Sequence, residues 1–146
     1  MALGAGRVVY ADTDAGRLER AAAVGAEPVE VGDEWPRKLG RFPITVDASG
    51  AHEGLHAAIR STSANGTCTS VSIFFEPETP LPMLEMYTRG CTLHTSRVHA
   101  RAEIPAVLDL VQSGRLDPAL VTSRVAAFDE AADALAEPPT KLVLTA

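Results

Sequence analysis

Arg7-Val8-Val9-Tyr10-Ala11-Asp12-Thr13-Asp14-Ala15-Gly16-Arg17-Leu18 decides how the rest of the chain is read. A short β-branched run stops at an acidic residue, and a polar turn opens into an amphipathic segment with apolar or small residues at Leu18, Ala21, Ala22 and Gly25. The order is strand, carboxylate, helix. Asp12 alone fits a helix cap or a solvated turn as well as it fits a binding group. The sequence upstream, Met1-Ala2-Leu3-Gly4-Ala5-Gly6, reads as the tail of a helix and a glycine turn, as though the chain had been cut.

Working outward, the pattern predicts strand 7–12, helix 14–24, a stop at Gly25 and a short strand at Pro28-Val29-Glu30-Val31. Residues 32–42, with Trp35, suggest a short or irregular helix over one sheet face. A third strand, Ile44-Thr45-Val46-Asp47-Ala48, leads through Ser49-Gly50 to a helix from about 51 to 63 with Leu55, Ala58 and Ile59 inward. Asn65-Gly66 reads as a turn into a long strand, 67–75, and prolines at 77, 80 and 82 make 76–82 a loop before a helix at 83–88. Gly90 precedes strand 91–95. Ile104, Val107, Leu108 and Val111 mark a helix over 101–113. An extended segment at 121–126, a helix at 129–136 capped by Asp129, and a strand at 141–145 after Pro138-Pro139 complete the chain. Alternating strands and helices give an α/β fold class, a mainly parallel sheet with helices on both faces.

Composition narrows the function classes. The 146 residues suit a single domain, with 46% hydrophobic and 22% charged residues. A net charge of −6 with scattered cations leaves no basic stripe, so no nucleic acid partner is expected. No apolar run approaches the roughly 18 residues that span a bilayer, and the first residues do not form a secretory signal, so no membrane partner and a cytoplasmic location are expected. The two cysteines, Cys68 and Cys91, read as reduced and structural.

Several marks in order resemble the carboxyl-terminal half of the zinc-dependent medium-chain alcohol dehydrogenases, an oxidoreductase family. They are Ala2-Leu3-Gly4-Ala5, Asp12, Val24-Gly25-Ala26-Glu27, Val46-Asp47-Ala48-Ser49-Gly50, Ser113-Gly114-Arg115-Leu116-Asp117-Pro118, Phe128 to Leu135, and Lys141-Leu142-Val143-Leu144. The resemblance covers nearly the whole chain. It implies hydride transfer between an alcohol and a carbonyl compound, with NAD as cofactor and nicotinamide dinucleotide as the partner molecule. In a dinucleotide-binding fold, the carboxylate ending the second strand accepts bonds from the adenosine ribose and repels a 2′-phosphate. Asp12 matches that carboxylate and Arg17 a cation beside the ribose. Ser49 and Gly50 match the turn on the adenine side. Val71, Ser72 and Ile73, with His94, Thr95, Ser96 and Arg97, match stretches at the nicotinamide end, and Lys141 matches a basic position near the pyrophosphate.

The resemblance also implies what is missing: the first strand of the Rossmann-type sheet, its glycine-rich turn, and the domain bearing the zinc ligands and substrate cleft. Gly4-Ala5-Gly6-Arg7-Val8-Val9 does not replace the glycine turn, because it precedes a strand instead of opening a helix. Residues 1–146 are therefore expected to be one truncated nucleotide-binding domain, inactive alone, with weak cofactor binding and no bound zinc. Loss of a central strand forfeits roughly 10 kcal/mol of burial, so strands 7–12 and 44–48 are expected to pair directly. The alternatives are a homodimer or complementing fragment that lends a strand at the exposed edges, or a chain that is only marginally folded.

Two other function classes remain. One is a non-catalytic dimerisation or nucleotide-binding remnant. The other is a zinc metalloprotease, because His52-Glu53-Gly54-Leu55-His56 satisfies H-E-x-x-H. Against it, the motif starts in the first helical turn, Gly54 weakens that turn by about 1 kcal/mol, and only Glu76, Glu78 or Glu85 remains as a third ligand.

Overall fold

A polar turn joins each of the first two helices to the parallel strand before it, and these two joints position the residues of interest. The computed structural model describes residues 2–32, 34–137 and 139–146. Met1, Asp33 and Pro138, which belong to the expected opening turn, the 32–42 helix and the Pro-Pro pair, lie outside the described residues. In chain order the elements are β1 (Val9–Asp12), α1 (Ala15–Ala23), β2 (Glu27–Glu30), β3 (Phe42–Asp47), α2 (His52–Ser61), β4 (Thr62–Ser70), α3 (Met83–Arg89), β5 (Thr92–Thr95), α4 (Ala100–Gln112), β6 (Arg124–Ala127), α5 (Ala131–Ala136) and β7 (Leu142–Thr145). Short 3-10 turns cover Pro118–Val121 and Phe128–Glu130. Every ladder among the described residues is parallel, as expected of an α/β chain of βα units. The elements form two compact units, Met1–Val31 with His99–Ala146, and Gly32–Val98.

In the first unit, β1 pairs with β2 in a register that sets Val9 opposite Glu27 and Asp12 opposite Glu30. β2 is an outer strand, so Pro28, which has no N–H to donate, costs no ladder bond on its free side. α1 starts at Asp14, whose carboxylate accepts the Arg17 N–H at 2.8 Å, and it buries Leu18 and Ala21. β6 pairs with β7, with Ala126 and Ala134 buried nearby. The expected cap at Asp129 is not formed. Glu130 accepts the Ala127 N–H instead, at 3.2 Å, because the segment enters its helix through a 3-10 turn begun one residue earlier. The stripe that identified α4 is exposed, Ile104 at 52% and Leu108 at 51%.

In the second unit the sheet order is β3-β4-β5. Leu55 and Ile59 of α2, Met86 of α3 and Cys68 of β4 form the core, with Leu93, Phe74 and Leu81 packed against it. Burial raises the Cys68 thiol pKa above its ordinary value, which keeps it protonated and inert. Cys68 is in register with Thr45 and Leu93, so α2 and α3 cover that face. Ile44 and Val46, one residue out of phase, point to the other face and are 71% and 58% exposed. The end of α2 is held by arginines: Arg41 and Arg89 donate to the carbonyl of Arg60 at 2.6 and 2.8 Å.

Three expectations need correction. Residues 32–41 contain no helix among those described. β4 begins at Thr62 and ends at Ser70, not at 67 and 75, because α2 runs straight into the strand and Asn65-Gly66 lies within it as a bulge. A side chain at Gly66 would sit 2.7 Å from the Pro43 carbonyl, so the bulge demands glycine. Finally, β1 pairs with β2 and β3 with β4, and no ladder joins 9–12 to 42–47 among the described residues. The ladders that do form each follow a βα unit: α1 links β1 to β2 and α2 links β3 to β4, whereas no helix among the described residues links β2 to β3.

The core assignment predicts a contrast between two like substitutions. Ile59→Ala, at a fully buried site, should cost about 2–5 kcal/mol in urea unfolding, whereas Ile104→Ala on the exposed stripe should stay within about 0.5 kcal/mol. Equal losses would contradict the assignment.

Candidate functional site

Asp12 and Asp47 each end a parallel strand, and each carboxylate organises the turn that follows. Asp12 Oδ1 accepts the Asp14 N–H at 3.0 Å, and Asp47 Oδ1 accepts the Ser49 N–H at 3.1 Å. The two joints differ in what else they hold.

At β1, the Tyr10 hydroxyl donates to Asp12 Oδ2 at 2.7 Å, and Arg17 Nη1 lies 3.5 Å from Oδ1. The Asp12 side chain is 14% exposed and that of Arg17 47%. Partial burial disfavours the Asp12 charge, but the Tyr10 hydroxyl, the Asp14 N–H, Arg17 and the Thr13 N–H together outweigh it and hold its pKa below the ordinary carboxylate value. Tyr10 moves the opposite way: burial first, then the bond to Asp12 and its charge, raise the phenol pKa. Beside this cluster is a cavity of about 350 Å³ lined by Val8, Tyr10, Ala21 and Val24, with Arg17, Arg20 and Lys141 also on its wall. Arg20 is tied to Thr140 by a 3.0 Å bond. Asp12, Arg17 and Lys141 therefore share one neighbourhood in the first unit.

At β3 the carboxylate is buried, 2% exposed, and fully engaged. Ser49 Oγ donates to Oδ1 at 2.6 Å and Ser70 Oγ to Oδ2 at 3.0 Å. The Gly50 N–H donates to Ser72 Oγ at 2.9 Å, and the Val71 N–H to the Asp47 carbonyl at 2.9 Å. Ser49, Gly50, Val71 and Ser72 are thus brought together around Asp47. Ile73, at 72% exposed, lies outside this network, and Thr95, next to Ser70 in the ladder, is followed by exposed Ser96 and Arg97. Asp47 and Tyr10 were not among the sequence-derived site residues. The signal for Asp47 was available, an acidic strand end before Ser-Gly, as at Asp12.

The H-E-x-x-H residues are occupied otherwise. His52 stacks on Phe74, with ring centroids 5.6 Å apart, and its Nε2 stands 3.2 Å from Glu76 Oε2 but poorly aligned for a hydrogen bond. His56 Nε2 meets the Pro80 carbonyl at 2.8 Å, so the two imidazoles pin loop 71–82 against α2. Gly54 is required because a side chain there would meet Ser49 Oγ at 2.2 Å. Glu85 is bound to Arg60 and Arg37 at 2.9 and 3.1 Å, and its pKa falls through the hydrogen bond to Arg60 first. No group of three or more potential metal ligands exists among the described residues, so the donor set does not fit zinc.

A family model described as zinc-binding dehydrogenase matches residues 1–113. A "Probable zinc-binding alcohol dehydrogenase" of Mycobacterium tuberculosis is 31% identical over 134 residues, covering 88% of this chain and 35% of that protein. Among solved structures, an alcohol dehydrogenase from Thermus sp. ATN1 is 26% identical with a TM-score of 0.77, covering 98% of this chain and 45% of the other. A short chain alcohol dehydrogenase from E. coli CFT073, complexed with NADH, has a TM-score of 0.77 at 21% identity, over 97% of this chain and 45% of that one. At that identity the likeness shows the fold alone. The chain spans about a third of the length of the curated relative and under half of these solved structures.

Two outcomes follow from the site. Because the native Asp12 pKa is lowered, its contribution to stability is complete above the ordinary carboxylate value and is lost as pH falls through the native value. Asp12→Asn should flatten that part of the unfolding free energy measured against pH; an unchanged profile would show the ion pair and hydroxyl bond to be idle. Dialysed protein should carry no stoichiometric zinc by metal analysis, and zinc that disappears in His52→Ala would put the protease alternative first.

Proposed function

The chain belongs to the zinc-binding dehydrogenase family, and on that premise we propose that it holds nicotinamide adenine dinucleotide for an oxidoreductase that interconverts alcohols and carbonyl compounds. The observation that carries this reading is the Asp12 carboxylate at the carboxyl end of β1, kept charged beside Arg17. A charged carboxylate there suits two ribose hydroxyls and opposes a 2′-phosphate, which favours NAD over NADP. Arg17 softens that preference, since its guanidinium is half exposed and able to meet an anion.

Within the first unit, Asp12 and Arg17 would hold the adenosine ribose, and Lys141 would meet the pyrophosphate. Within the second, Ser49 and Gly50 would face adenine, and Val71, Ser72, Ile73, Thr95, Ser96 and Arg97 would meet the nicotinamide end. The exposed positions Ser49, Gly50, Thr95, Ser96 and Arg97 are accessible to such a ligand. When bound, the dinucleotide supplies hydride-transfer chemistry, and the chain's own residues bind and orient it. The zinc centre of the family has no fitting ligand set among the described residues, so no step is assigned to a metal.

Fluorescence titration with NADH tests this reading. Saturable, weak binding is expected, with Asp12→Ala weakening it about ten- to a hundredfold, the effect of a charge-assisted hydrogen bond. Asp12→Ala should also narrow the preference for NADH over NADPH. Binding unaffected by Asp12→Ala, or absent in the unmodified chain, would refute the assignment.

A further inference from the structure

Tyr10 and Asp12 are two apart on β1, so their side chains leave the same side of the strand. Each oxygen of the Asp12 carboxylate has its own donor. Oδ2 takes the Tyr10 hydroxyl at 2.7 Å, while Oδ1 takes the Asp14 N–H at 3.0 Å and faces Arg17 at 3.5 Å. Rotation of the carboxylate about its Cβ–Cγ bond would break one of these contacts. Arg17 cannot set the plane alone, because its single approach is long and its side chain is half exposed.

We propose that Tyr10 is a positioning residue for cofactor choice: its hydroxyl fixes the plane of the Asp12 carboxylate so that the remaining lone pairs of both oxygens face a vicinal diol. The proposal rests on the cofactor reading above. A carboxylate has about four acceptor sites, and the two hydrogen bonds formed here, from the Tyr10 hydroxyl and the Asp14 N–H, use one on each oxygen, so each oxygen keeps a lone pair for a diol, that on Oδ1 beside Arg17. A fixed plane favours two simultaneous bonds from adjacent hydroxyls over one bond to a lone donor, and it presents full negative charge to any 2′-phosphate. The same hydroxyl bond helps hold the carboxylate ionised, against the cost of its partial burial. Other charged groups around the pair are Arg17 and Arg20 on α1, Asp14 at its cap, Glu30 in register on β2, and Lys141 on the cavity wall shared with Tyr10.

The test compares NADH and ADP-ribose binding to the unmodified chain, Tyr10→Phe and Asp12→Ala across acidic pH, by calorimetry or fluorescence. Tyr10→Phe keeps the ring and should bind the diol ligands roughly three- to tenfold more weakly. It should also move the acid midpoint of binding upward, a shift that a purely packing role would not produce. In a Tyr87→Phe background the Tyr10 phenol, followed by ultraviolet titration without ligand, should ionise above its ordinary range and return toward it in Asp12→Asn. If Asp12→Ala loses binding while Tyr10→Phe leaves affinity and acid midpoint unchanged, the role of Tyr10 is overturned and the cofactor reading stands. If Asp12→Ala changes nothing, the cofactor reading falls and takes the role of Tyr10 with it. A phenol that ionises at its ordinary value would by itself show that the contact with Asp12 is not held.

Discussion

A parallel strand that hands over to a helix leaves backbone N–H groups in the turn, and something must accept them. In this chain the acceptor is twice the carboxylate at the strand's own end: Asp12 for the Asp14 N–H and Asp47 for the Ser49 N–H. The constraint fixes more than a turn. It fastens a negative group at the carboxyl end of a parallel strand, the side on which open α/β sheets bind their ligands. The two joints then diverge by burial. Asp47, sealed by Ser49 and Ser70, has become structural, whereas Asp12 keeps part of its surface in solvent and is held charged by Tyr10 and Arg17.

That division explains which chemistry was legible in the sequence. The strand, acid and helix order placed β1, α1 and Asp12 correctly, because alternation and a cap residue are local signals. α3 and β5 followed from proline and the left-handed Gly90 between them. The position of β4 did not follow. Val71 to Phe75 has strand composition, yet the chain leaves the ladder after Ser70, with Phe74 turning back to the core and Phe75 93% exposed. Composition records that a residue suits a pleated, half-buried surface, not which partner supplies that surface. The expected ladder between β1 and β3 is likewise not formed among the described residues: burial energy says that an apolar edge needs a partner, not which strand supplies it.

The H-E-x-x-H run shows the same limit at the level of a site. Spacing put two imidazoles one turn apart, as a zinc helix would, and the chain uses that spacing to pin a proline-rich loop through Phe74, Glu76 and the Pro80 carbonyl. Tyr10 was overlooked for the opposite reason. In a strand of apolar residues an aromatic ring reads as packing, and only the distance from its hydroxyl to Asp12 reveals a second use.

Amide chemical shifts recorded while NADH is titrated into the isotopically labelled chain would locate the ligand residue by residue. Saturable shifts that are largest at Asp12, Thr13, Asp14 and Arg17 are expected if the Asp12 carboxylate holds the ribose. Saturable shifts that bypass this turn and gather elsewhere on the chain would contradict it.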